Sequence, residues 1–159
     1  MKLSSRDLPS FIMTIGISGS GKSTWINSID DKNTKIISPD KIRLDLTGDI
    51  SDQSRNAEVF DLAKQTTIHF LNQGYNVILD ATNVDAAKRK DFIKDLPPVQ
   101  LKAKIFNVSP EEAIKRINNA LQSGENRAKT PEDIVRNMHQ KFTTESTPEK
   151  LKEEGFELI

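Results

Sequence analysis

The sequence predicts a three-layer α/β fold: a parallel sheet of about five strands, helices on both faces and a helical lid. Three observations carry this. Short apolar runs alternate with longer helical stretches; four hydroxyl–proline pairs mark helix starts; and a glycine-rich turn follows the first apolar run directly.

The runs 11–15, 35–38, 75–79, 101–108 and 156–159 read as strands. Three are continuously apolar at their centres, as strands covered on both faces tend to be. Between them, Phe60, Ala63, Thr67 and Leu71 fall on one face of a long helix over about 54–72, which Gly74 stops. Ser38-Pro39, Ser109-Pro110, Thr130-Pro131 and Thr147-Pro148 each precede a helical segment, the last three with Glu following. A hydroxyl at the N-cap, proline in the next position and an acid in the first turn place helix starts near 39, 110, 131 and 148. Alternating strands and helices imply right-handed crossovers.

With 159 residues, the chain is expected to form one domain with a core of its own. Cysteine is absent, which excludes disulfides, cysteine–zinc sites and a catalytic thiol. Neither a leader peptide nor a membrane-spanning apolar run is visible, so no membrane association and a cytoplasmic setting are expected. Charge balances at 23 basic and 23 acidic residues, which argues against a basic field over the whole surface. Locally, 86–104 carries Lys88, Arg89, Lys90, Lys94, Lys102 and Lys104 against Asp91 and Asp95: a solvated helix face or a docking patch for an anion. Residues 145–159 reverse the bias, with five Glu against Lys150 and Lys152. No segment reads as a surface for an obligatory protein partner, and the oligomeric state is left open.

Gly16-Ile17-Ser18-Gly19-Ser20-Gly21-Lys22-Ser23 matches G-x-x-x-x-G-K-[ST] between a strand and a helix over about 22–29. This is the phosphate loop of the P-loop NTPase fold. Its glycines (Gly16, Gly19, Gly21) let main-chain N–H groups converge on an anion, joined by Ser18, Ser20 and Thr24 and by the positive end of the helix. Lys22 reaches the β- and γ-phosphates of ATP or GTP, and Ser23 offers its hydroxyl to Mg²⁺. The loop binds nucleotide without choosing a chemistry.

Other strand ends supply candidates for the chemistry. Asp40 sits in the first turn of the helix after the second strand, either as a general base for an attacking hydroxyl or as an ordinary acid stabilising the helix dipole. Arg43, one turn on, would hold an acceptor phosphate or pair with Asp40 or Asp45. Asp80 ends the third strand as a Walker-B-like carboxylate for Mg²⁺. Thr82 and Asn83 would donate to the acceptor, unless the segment only closes a turn. The polar stretch 121–129 separates two helices and reads as the lid, about 121–130. Arg127 within it is the first candidate to neutralise the transferring phosphoryl group, while Arg116 is a nucleotide contact or an exposed helix residue. His69 and His139 read as structural or surface groups, and Trp25 as packing.

The loop 15–25, the Asp40…Arg43 pair, Asp80-Ala81-Thr82-Asn83 and the stretch from Ile105 through Arg116 to Arg127 together resemble the polynucleotide 5′-hydroxyl kinases of the bacteriophage type, over about residues 10–142. The resemblance implies transfer of the γ-phosphate of ATP to a hydroxyl at a nucleic-acid end, with Asp40 as base, Arg43 on the acceptor phosphate and Arg127 on the lid. It also implies a role in DNA or RNA end processing, in the host cytoplasm for a phage-borne enzyme. The same branch includes kinases for small alcohols and for hydroxymethylated bases in DNA. A reading of another class is an ATP-driven switch or motor subunit.

Overall fold

The computed structural model describes residues 7–125 and 130–159. Five strands form one parallel sheet: β1 (Ser10–Ile15), β2 (Thr34–Ile37), β3 (Asn76–Leu79), β4 (Gln100–Ile105) and β5 (Glu157–Leu158), in the order β2-β3-β1-β4-β5. The helices are α1 (Lys22–Asn27), α2 (Pro39–Thr47), α3 (Asn56–Asn72), α4 (Ala86–Ile93), α5 (Pro110–Gln122), α6 (Glu132–Glu145) and α7 (Pro148–Glu153). Among the described residues, no helix is long and apolar enough to cross a membrane.

Parallel pairing explains the apolar strand centres. Phe11, Met13 and Ile15 of β1 are fully buried and join Val77, Leu79 and Ala103 in one core. Helix α3 lies on that core with Val59, Ala63, Thr67 and Leu71, and Phe92 of α4 stacks on Phe11 at 5.7 Å. On the other face, Ile12 and Ile78 meet Trp25 and Ile29 around a shallow cavity of about 390 Å³. Trp25 packs edge-on against Phe106 at 5.9 Å, as its packing role requires.

The proline pairs behave as helix starts. Ser38, Ser109 and Thr147 are N-caps whose hydroxyls accept from the N–H of Lys41, Glu112 and Lys150. The fourth differs: α6 has Pro131 itself as its N-cap residue, with no side-chain cap bond. Phe60 also departs from expectation. Ala63, Thr67 and Leu71 repeat at spacing four, and the same step leads back to Val59, fully buried, while Phe60 lies on the helix flank and is 41% exposed.

Strand register decides where the chemistry gathers. Ile15 stands level with Ile105, and Met13 and Ile37 with Leu79. The residues leaving these strands (Gly16, Ser38, Asp80, Phe106) therefore emerge along one edge. The chain also reverses direction across the sheet beside β1, where ligands bind in such folds.

Candidate active site

The phosphate loop is shaped by main-chain demands. Gly19 (φ 78°) and Gly21 (φ 102°) are left-handed, where a side chain is strained. A Cβ on Gly19 would also lie 2.5 Å from the Ala113 carbonyl oxygen of α5, and one on Gly16 2.8 Å from the Phe106 carbonyl oxygen. Gly21 is the N-cap of α1, which has no side-chain cap and no acid in its first turn, so its positive end faces the loop undiluted. The Lys22 ammonium lies over the loop and donates to the carbonyls of Gly16 (2.9 Å) and Ile17 (2.7 Å). Ser20 is buried in the cradle; Ser23 and Thr24 are exposed on α1. Ser18 donates to Met138 Sδ of α6 at 3.6 Å. Arg116 reaches the loop from α5: its Nη1 lies 3.5 Å from the Gly19 carbonyl oxygen while its Nε pairs with Glu112.

The second strand end carries a clamp. Arg43 is 4% exposed, and its Nη1 grips Asp40 Oδ1 at 2.6 Å. Its Nε and Nη2 donate to Asn56 Oδ1 at 3.1 and 2.9 Å. The Asp40 side chain stays 57% exposed, so the carboxylate is held at one oxygen and open on its outer side. The ion pair foreseen for Arg43 thus exists, as an inner support rather than a surface contact.

Asp80 completes the group. Burial pushes its carboxyl above the ordinary value, Lys22 pulls it back, and Asp40 and Lys41 act on it with opposite signs. Lys22, Asp40 and Lys41 thus all act on the Asp80 carboxyl. A partly buried carboxylate on which Lys22 acts, with the Ser23 hydroxyl in the first turn of α1, suits a Mg²⁺ that arrives with nucleotide. Among the described residues, no group of three or more His, Cys, Asp or Glu forms a metal cluster by itself.

Thr82 and Asn83 support the cradle. The Thr82 carbonyl accepts from Gly16 N at 3.0 Å. Asn83 adopts φ 50° and donates through Nδ2 to the Thr14 carbonyl at 2.8 Å. Asn83 therefore ties the third strand end to β1, while Thr82 also lines a groove between α3 and α4. Arg127 lies outside the described residues, as do 126–129 of the lid.

A family model described as an AAA domain (AAA_33) matches residues 11–144. The chain belongs to that family. Two chains from structures of the Pnkp1/Rnl/Hen1 RNA repair complex are similar to this AAA domain: one at 22% identity and TM-score 0.71, covering 94% of this chain and 47% of the other, and one at 27% and 0.61, covering 72% and 41%. The AAA domain therefore spans less than half the length of those chains. A candidate kinase from Chloroflexus aurantiacus aligns at 15% identity and TM-score 0.60, covering 79% of this chain and 76% of its own. No curated protein matches the sequence significantly. The fold is the P-loop kinase-like one.

Two supports of this AAA domain escaped the sequence. Asn56 sits where only a helix start was visible. Arg89 stands in the basic segment but is 1% exposed, so it belongs neither to a solvated face nor to a docking patch. Its guanidinium donates to both Glu154 carboxylate oxygens (2.9 and 2.8 Å), to the carbonyls of Asn83 (2.7 Å) and Glu145 (2.6 Å), and to Ser146 Oγ (2.8 Å). The acidic bias of 145–159, 56 or more positions away, was the one available signal.

Proposed function

We propose that the chain, acting as a single kinase domain, transfers the γ-phosphate of ATP to a hydroxyl acceptor, the 5′-OH end of DNA or RNA. One observation carries the reading: an exposed carboxylate, Asp40, is held by a buried arginine, and both it and the phosphate-loop lysine act on the Asp80 carboxyl. A switch ATPase has no need of a clamped base facing outward. The RNA-repair setting of two similar structures favours a nucleic-acid acceptor.

In this account the loop amides and Lys22 hold the triphosphate. Ser23 and Asp80 would hold the Mg²⁺, which supplies neutralisation of phosphate charge. The acceptor oxygen approaches from the Asp40 side, and Asp40 takes its proton as the new O–P bond forms. The bond from the γ-phosphorus to the bridging oxygen breaks, and ADP leaves. Arg43 fixes the base and Arg116 flanks the loop. Arg127 is assigned to the charge of the transferring group from its place in the polar stretch 121–129 and from the resemblance. Positioning and electrostatics supply most of the acceleration.

Labelled γ-phosphate transfer to 5′-OH DNA, 5′-OH RNA, hydroxymethylated DNA and small alcohols tests the acceptor. Transfer to a nucleic-acid 5′ end is expected, weakening steeply with salt as counterions are released. Preference for a small alcohol, with no salt dependence, would overturn the nucleic-acid assignment. Asp40→Ala is expected to lower transfer by about 10²- to 10⁴-fold while ATP binding is kept. Full transfer in that variant would remove Asp40 from the base role.

A further inference from the structure

A groove of about 800 Å³ runs between α3 and α4 below the end of β3. It continues the site just described, because Thr82 lines it, as does Asn56, whose amide oxygen receives Arg43, the residue that grips Asp40. Its floor is apolar: Leu79, Ala81, Val84 and Phe92. Phe60, half-exposed, forms one wall, and Met138 lines the groove from α6. Lys64 donates to the Asp91 carbonyl at 2.9 Å and so ties the two helices together.

The charges along this groove cancel. Lys64, Lys88 and Lys141 face Asp61, Asp85 and Asp91. Lys141 is further committed to Asp85 at 2.6 Å, and Lys64 to Asp95. A groove of this kind gives a phosphate no net attraction, whereas it offers a flat uncharged ring a dry floor, an aromatic wall and polar groups at the edge. Its volume lies in the range of small-molecule sites and exceeds what a simple alcohol would fill. Asp61 can accept from an exocyclic amino group, and the Thr82 hydroxyl can donate or accept.

We propose that the α3–α4 groove is a nucleobase site, in which the terminal base of the acceptor stacks on Phe60 while its 5′-oxygen points to Asp40 and its phosphates stay outside. This rests on the reading of the chain as a 5′-hydroxyl kinase and adds where specificity for a base-bearing acceptor resides. It accounts for an exposed phenylalanine beside the site, on a helix whose core face is already complete with Val59, Ala63, Thr67 and Leu71.

The test is a titration of ¹⁵N-labelled full chain with the 5′-OH dinucleotide ApA and with an analogue lacking the 5′ base. ApA is expected to shift the amides of Ala57, Phe60, Thr82 and Ala87; the abasic analogue is expected to leave them in place. Phe60→Ala should weaken ApA about 10-fold or more, the scale of one lost base–aromatic stack, and Phe60→Tyr should retain binding. Equal binding of ApA and the abasic analogue, or an unchanged affinity in Phe60→Ala, overturns the groove assignment even where both ends accept phosphate. ApA shifts along the groove without transfer to any 5′-OH end would keep the base site and reject the 5′-hydroxyl kinase reading. Absence of any shift along α3 and α4 overturns the proposal outright.

Discussion

The two halves of the site are built from different materials. On the nucleotide side, from Gly16 to Thr24, the work falls to main-chain geometry: left-handed glycines, an uncapped helix start and a lysine folded over its own loop. On the acceptor side it falls to side chains braced on one another, from 3 to 65 positions apart in sequence. Asp40 leans on Arg43, Arg43 on Asn56, and the Thr82-Asn83 turn on Arg89, which is itself anchored by Glu154. The cradle is held chiefly by main-chain geometry, including the bond from Gly16 N to the Thr82 carbonyl, whereas a set braced through side chains fails when one member is removed. The difference predicts that damage to the first half shows in ligand binding and damage to the second in folding and catalysis together.

The largest expected effect on stability follows from Arg89→Met. It strips a partly exposed carboxylate, two carbonyls and a hydroxyl of one shared buried donor, and should destabilise the fold by about 3–5 kcal/mol in a denaturant titration. The lower end is favoured because Glu154, 26% exposed in its side chain, can turn toward water. Arg89→Lys should recover only part of the loss, since a single ammonium cannot fork across those partners. A loss below about 1 kcal/mol, the scale of an exposed pair, would break the contrast between the two halves.

A smaller effect of opposite sign is expected at Asp80. Its raised value means that burial penalises the ionised form in the fold. Stability from this group is present below the ordinary carboxylate range and lost as pH rises through the raised value. Asp80→Asn should therefore melt higher than the parent at neutral pH, by about 2–4 °C for each kcal/mol relieved, with the gain fading toward pH ~4. Nucleotide-dependent transfer should fall in the same variant. A lower melting temperature at neutral pH would show Asp80 to be a structural acid, as in a simple turn.

The same division governs what could be read from the chain. The phosphate loop is legible because its requirements are local: glycine at the left-handed positions, lysine and serine at fixed offsets, a strand before and a helix after. Asp40 and Asp80 are legible as carboxylates at strand ends, and three of the proline pairs as helix caps. Strand order could not be read, because pairing depends on which crossover packs where. Phe60 was misplaced because positions 59 and 60 both suit a helical step back from Ala63, and only packing against the sheet selects Val59. Arg89 was hidden because an arginine among lysines looks solvated until its distant acid is known. Lid residues 126–129, with Arg127, fall outside the described structure.

The most direct test of the central claim is calorimetric titration of ATP with Mg²⁺ into the parent chain and into Lys22→Ala. Saturable binding by the parent and a loss of about 10- to 150-fold in the variant are expected, the scale of one hydrogen-bonded charge on a phosphate. Equal affinities for the two, or no binding by the parent, would contradict a nucleotide cradle at Gly16–Ser23.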